Sequence, residues 1–121
     1  MNFTFDRQLR LLCAKHFKHV FDQVDIKTGT GELLVLVRND QIQATAKLGL
    51  VVAKKNLKRA VDRNQFKRII RESFRHHQHE LKGLNIIVLT RQGAKNCDKE
   101  TLRKTIDQAW QRILKKRTAF K

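Results

Sequence analysis

From Lys54 to Arg75 the chain reads KKNLKRAVDRNQFKRIIRESFR, and nine of these twenty-two residues are lysine or arginine. They are Lys54, Lys55, Lys58, Arg59, Arg63, Lys67, Arg68, Arg71 and Arg75, opposed only by Asp62 and Glu72. A guanidinium presents N–H donors in a planar fork that matches phosphate, and an ammonium acts as a compact point charge. The chemistry on offer is recognition of a polyanion. A plain solvated helix surface is the bland alternative, and Glu72, in reach of Arg68 and Arg75, suits it. Such surfaces usually mix charge signs, however, and this one is nearly all positive, which favours a nucleic-acid partner.

Residues for bond-breaking chemistry are sparse. The eleven carboxylates are scattered. Asp22 with Asp25 and Asp98 with Glu100 are the close pairs, and they fall on a loop and a helix start. His76, His77 and His79 cluster beside Glu80, with His76 and His79 on one helix face. Metal ligation there would need further ligands from elsewhere; otherwise the cluster is a polar helix end with titratable charge. No nucleophile motif, phosphate loop or zinc-knuckle spacing appears. The expectation is a binder with no catalytic residue and no metal site of its own. Phe17, Val20 and Phe21, at i, i+3 and i+4, share a helix face. Such a stripe packs into a core or lines a groove where bases stack.

The elements that must position these groups follow from periodicity. Phe66, Ile69, Ile70, Ser73 and His77 define the core face of a helix through the basic run, with Asn64, Lys67, Arg68, Arg71 and Arg75 opposite. Asp62 with Gln65 reads as a capping box, so the regular helix is expected to begin near Asp62, with Ala60 and Val61 in a turn or a tighter first turn. Upstream, residues 1–12 form a basic approach segment, and a short helix is expected from Ala14 to Phe21. Asp22–Gly31 reads as a connection with turn chemistry at Thr28–Gly31. Glu32–Arg38 is a strand buried on both faces. Asn39-Asp40 marks a turn, and Gln43–Ala53 is a second strand, antiparallel to the first as a hairpin. Gly49 within it suggests a bulge or a close backbone approach. Gly83 ends the helical stretch beyond His79. Asn85–Arg91 is a third strand, which the intervening helix allows to run parallel to the second. Gln92–Cys97 is a loop, Asp98 an N-cap, and Leu102, Ile106, Ala109, Trp110 and Ile113 the core stripe of a last helix. Lys115, Lys116 and Arg117 complement its dipole.

Composition bounds the answer. The 121 residues suit one domain spanning 1–121, with no repeats. A formal charge of +16 predicts self-repulsion in the compact state and attraction to polyanions. Hydrophobic residues make up 40%, enough for a core. No secretory signal, membrane-span-length apolar run or lipidation motif appears, so no membrane partner is expected. Cys13 and Cys97 do not form a disulfide framework and suit a reduced cytoplasmic protein.

The run LGLVVAKKNLKRAVDRNQFKRIIRESFR resembles the signature of the bacterial ribonuclease P protein subunit. The likeness rests on Gly49, Lys54, Lys55, Ala60, Arg63, Asn64, Lys67, Arg68, Arg71, Glu72 and Phe74. RLLCAKHFKHVF resembles the family's aromatic segment, with Phe17 and Phe21 in the matching places. The likeness extends from about Phe5 to Arg117. One departure is Gln65, where the family usually has arginine; a charge-assisted contact is lost there.

The resemblance implies an α/β fold, sandwich-like, with a small central sheet. An N-terminal helix, a central basic helix in a left-handed βαβ crossover and a C-terminal helix would surround it. It implies a protein subunit whose catalyst is a partner RNA with bound Mg²⁺, removing the 5′ leader from precursor tRNA in the bacterial cytoplasm. Lys54, Lys55, Arg59, Arg63, Asn64, Lys67, Arg68 and Arg71 would then bind the RNA subunit. Phe17 and Phe21 would bind the single-stranded leader in a cleft between the first helix and the sheet. A ribosomal protein would share the charge, and a protein-only nuclease would need the missing acidic cluster. A helix-turn-helix DNA reader is disfavoured because the basic helix leaves a strand rather than a short turn after another helix; no DNA partner is expected.

Overall fold

A computed structural model describes residues 14–39 and 46–118. Helix α1 (Ala14–Asp22) leads into strands β1 (Ile26–Gly29), β2 (Leu33–Asn39) and β3 (Lys47–Val51). Helix α2 (Ala60–His77), strand β4 (Leu84–Thr90), a 3₁₀ turn (Gln92–Asn96) and helix α3 (Lys99–Thr118) complete the order. The approach segment 1–12, Cys13 and the Asp40 turn position lie outside the described residues.

The sheet runs β1-β2-β4-β3. β1 pairs antiparallel with β2, β2 antiparallel with β4, and β3 parallel with β4. The parallel pairing expected for the strands flanking the basic helix is therefore present. The hairpin expected between the first two apolar strands is not: β4 lies between β2 and β3. β4 takes the central place because it is apolar on both faces, with Ile86 and Val88 in one core cluster and Ile87 in the other. The hairpin partner of β2 is instead β1, which sequence reading took for a connection. β1 has only four residues, and its alternation of buried Ile26 and Thr28 with exposed Lys27 and Gly29 is too short to signal a strand. Of the two readings of Gly49, a bulge or a close backbone approach, the bulge is absent. The register runs without interruption from Lys47 opposite Asn85 to Val51 opposite Leu89.

The large core lies between one sheet face and helices α2 and α3. Leu33, Val35, Val37, Leu48, Leu84, Ile86 and Val88 meet Phe66, Ile70, Phe74, Leu102, Ile106, Trp110 and Ile113 there. Burying such side chains contributes roughly 1.5–3 kcal/mol each before entropy is counted. The opposite sheet face carries Leu36 and Ile87, covered by Val20 of α1 with Phe17 packed against them. β2 is thus buried from both sides, as its unbroken apolar run implies.

Helix α2 starts two residues earlier than the capping-box reading places it. Arg59 occupies the N-cap position with no side-chain cap bond. Asp62 does not cap; its carboxylate accepts from the Arg59 guanidinium at 3.0 and 3.3 Å. The Asp62 and Arg63 backbone N–H groups both reach the Arg59 carbonyl, a tight first turn. Phe74, rather than His77, completes the buried stripe: Phe74 is fully buried, while Ser73 and His77 are half-buried beside it. Past the helix end, Gly83 takes φ 84°, a left-handed conformation that lets the chain turn into β4.

Helix α3 begins as read. Asp98 Oδ1 accepts the Thr101 N–H at 2.7 Å, and this bond, then that with the Thr101 side chain, holds the Asp98 carboxyl below its usual range. At the other end Lys116 donates to the Lys27 carbonyl at 2.9 Å, and Arg117 donates to the carbonyls of Glu80 and Lys82. These basic residues tie α3 to β1 and to the turn before β4, in addition to facing the helix dipole.

The segment read as a loop after β4 is a 3₁₀ turn pinned by two glycines. Gly93 N–H donates to the Gly31 carbonyl at 2.8 Å. A β-carbon on Gly93 would fall well inside contact distance of that same carbonyl. Gly93→Ala is therefore expected to destabilise the fold by about 1–3 kcal/mol, typical of forced overpacking. Urea unfolding of the variant checks this; a midpoint equal to wild type would show that the turn yields freely.

Candidate nucleic-acid interface

The parallel pairing of β3 and β4 sets the geometry of the basic surface. Parallel strands release their carboxyl ends at the same edge of a sheet. The turn after β3, carrying exposed Lys54 and Lys55, therefore lies beside exposed Arg91, which follows β4. Lys55, Asn56, Thr90 and Arg91 line one groove of about 490 Å³. Its frame is rigid. Asn56 is 4% exposed, and its amide donates to the Thr90 carbonyl at 3.0 Å and the Thr90 hydroxyl at 3.3 Å. The Arg91 guanidinium donates to the Thr30 carbonyl at 3.0 Å, which fixes one edge of its fork. Sequence reading did not single out Arg91. A single arginine at a strand end carries no signal until the strand order is known.

The predicted RNA-facing residues divide into two groups. Asn64 and Arg68 are exposed on the outer face of α2, with Lys67 and Arg71 half-buried beside them. Arg59 and Arg63 have partners within the chain. Asp62 raises the Arg59 guanidinium above its usual range, first by the hydrogen bond and then by charge. Arg63 Nη1 donates to the carbonyls of Leu57 at 2.9 Å and Lys58 at 2.7 Å. Arg63 therefore braces the turn that feeds the helix. Glu72 lies 3.8 Å from Arg75, one of the two pairings expected for it.

On the opposite sheet face, α1 packs on β2 and β4. Arg38 Nη1 donates to the His19 carbonyl at 2.7 Å and ties the helix end to β2. The expected stripe splits here: Val20 is fully buried, Phe17 half-buried, and Phe21 46% exposed. One residue serves the core, and two rings remain within reach of a partner.

Bond-breaking groups do not converge. Among the described residues no group of three His, Cys, Asp or Glu side chains is placed to hold a metal ion. His77 Nδ1 donates to the Ser73 carbonyl at 2.8 Å within α2, and Ser73 Oγ donates to Asp107 of α3 at 2.7 Å, so these groups are engaged in structural contacts. Burial, then the charges of Glu32 and Asp98, push the Cys97 thiol up, which makes it a poor nucleophile. Among the described residues no helix is long and apolar enough to cross a membrane.

A sheet covered on both faces, with a cationic helix leaving the end of a parallel strand, defines a small, strongly basic α/β domain. Comparison with known proteins sharpens this. The model of the family described as Ribonuclease P matches residues 5–114. The ribonuclease P protein component of Saccharophagus degradans is 46% identical over 114 residues, covering 94% of this chain and 84% of that protein. That of Pasteurella multocida is 45% identical over 112 residues, covering 93% and 92%. Among solved structures, the Staphylococcus aureus RNase P protein superposes with TM-score 0.77 at 26% identity over 85% of this chain and 93% of that one. The Thermotoga maritima RNase P protein gives TM-score 0.73 at 28% identity, covering 85% and 96%. The chain belongs to the ribonuclease P protein family. It is the protein part of an RNA-based endoribonuclease of tRNA 5′-leader processing, and it associates with that enzyme's RNA subunit.

Proposed function

We propose that the outer face of α2 and the turn before it bind the RNA subunit, and that the α1 side of the sheet holds the precursor tRNA's single-stranded leader. The observation that carries the first half is the outer face of α2, where exposed Asn64 and Arg68 lie beside half-buried Lys67 and Arg71, continued by exposed Lys54, Lys55 and Arg91 at the sheet edge. Arginine forks suit phosphates of a folded RNA and fix its orientation without reading sequence. Arg63 contributes by holding the 57–58 turn in place, and Arg59 adds charge beside Asp62.

The second half is supported by Phe17 and Phe21, whose rings stay accessible while Val20 anchors the helix. Stacking tolerates many base identities, which suits an enzyme that must accept many leaders. Phe21→Ala is expected to weaken binding of leader-bearing precursor about tenfold while the assembly constant with the RNA subunit stays unchanged. Fluorescence anisotropy with precursor and with leaderless tRNA checks this; a variant that binds precursor like wild type removes Phe21 from the site. Phe17→Ala carries the same expectation, with some loss of stability because that ring also packs on Leu36 and Ile87.

Catalysis in this reading belongs to the RNA and its bound Mg²⁺, in the bacterial cytoplasm. Neutralising phosphates with protein cations lowers repulsion between the two RNAs, so less Mg²⁺ is needed. The test is precursor-tRNA cleavage at low Mg²⁺ by protein alone, RNA subunit alone and both together. Cleavage only with both is expected. Cleavage by the protein alone would overturn the reading in favour of a protein nuclease, and no gain from adding the protein would remove its cofactor role.

A further inference from the structure

The outer surfaces of α2 and α3 enclose a groove of about 540 Å³. Arg59 and Arg68 line it from α2, and Lys99 and Arg103 line it from α3. Its two carboxylates are engaged: Asp62 by Arg59 at 3.0 Å, and Glu72 by Arg75 at 3.8 Å. Arg68, Lys99 and Arg103 are exposed and have no carboxylate partner among the described residues. The groove is therefore a channel with uncompensated positive charge on both walls. Gln65 lines it too. This is the position where the resemblance leads one to expect arginine, and Gln65 also lines a neighbouring cleft with Lys99 and Leu102 of α3.

We propose that this groove is a second phosphate track for the RNA subunit, in which Lys99 and Arg103 grip the backbone opposite Arg68 and supply the charge missing at Gln65. The inference rests on the assignment of α2 to the RNA subunit. The two cations on α3 stand across the groove from Gln65, so a phosphate held between the helices gains a charged contact from the far wall. Arginine forks and lysine ammonium groups both serve phosphodiester oxygens, and neither reads base identity. The sequence offers no hint of this pairing, because residues 65, 68, 99 and 103 converge only when α3 packs along α2.

The test is assembly of the full-length chain with its RNA subunit, measured as a dissociation constant over a range of salt concentrations. Lys99→Gln with Arg103→Gln is expected to weaken assembly about tenfold or more and to reduce the salt slope by about two. Gln65→Arg placed in that background is expected to restore most of the loss. Lys104→Gln, an exposed α3 lysine outside the groove, controls for bulk charge and is expected to change affinity less than twofold. Thermal unfolding of each variant checks the fold, and the single Arg103→Gln variant serves should the double variant unfold. Wild-type affinity and slope for both α3 variants, alongside a weakened Arg68→Gln, would overturn the groove while leaving the α2 assignment intact. Equal losses from Lys104→Gln would overturn it too, as would a Gln65→Arg variant that rescues nothing. An unaffected Arg68→Gln would bring down the α2 assignment itself.

Discussion

Trp110→Ala is expected to lower the unfolding free energy by about 3–5 kcal/mol, the usual cost of emptying a large aromatic site. Trp110 is fully buried and meets Phe74 edge to face, with ring centroids 6.1 Å apart and planes at 62°. Its Nε1–H donates to Ser73 Oγ at 2.8 Å, and that hydroxyl donates to Asp107 Oδ1 at 2.7 Å. The truncation removes the wedge between α2 and α3 and takes the donor away from Ser73. Domains of this size are stable by about 5–15 kcal/mol, so the loss takes a large share. A formal charge of +16 already works against compaction. Urea unfolding monitored by circular dichroism checks the prediction. A loss below about 1 kcal/mol would mean that α2 and α3 collapse into the space rather than leave a cavity. Trp110→Phe separates the terms: it keeps a ring against Phe74 and loses the Ser73 bond with only part of the buried volume, so it is expected to cost less than half as much. RNA that binds the native state should recover part of either loss by mass action.

The second large effect is on assembly. Lys67→Glu with Arg68→Glu is expected to weaken binding to the RNA subunit by at least about a hundredfold and to flatten its salt slope by about two or more. Both side chains lie on the α2 surface away from Phe66 and Ile70, which form the core side of the helix. Each replacement reverses a charge facing the proposed partner. The fold itself should not suffer, because lowering the net positive charge relieves self-repulsion. The prediction is therefore a divergence: an unfolding midpoint equal to or above wild type, with assembly lost. Filter binding at several salt concentrations, with unfolding curves beside it, gives both readings. Wild-type affinity and slope would exclude the outer face of α2 as the RNA surface. A fall in both affinity and midpoint would point to misfolding.

The local elements were legible in the sequence because side-chain periodicity is a local property. The spacing of Leu102, Ile106, Ala109, Trp110 and Ile113 marks the buried side of α3, and all five are buried. The Asp98 cap, the β2 and β4 runs and the charge of α2 were equally plain, since each depends on a handful of adjacent residues. The family signature around Arg63 and Asn64 was legible for the same reason.

The sequence by itself thus determined the helices, the apolar strands, the polyanion chemistry and the family. Tertiary structure alone decided how they meet. Placing β4 between β2 and β3 rests on contacts distant in the chain, where β4 can bury both its faces, and no local pattern encodes that order. β1 became a strand because β2 had a free edge, not because four residues insist on it. The same long-range packing sets Lys55 beside Arg91 and Arg68 across from Arg103. Arg63 turns back onto the nearby Leu57 and Lys58 carbonyls, a local contact that its place in a basic run does not suggest. Composition supplies charge, but which charges face one another is a property of three-dimensional packing.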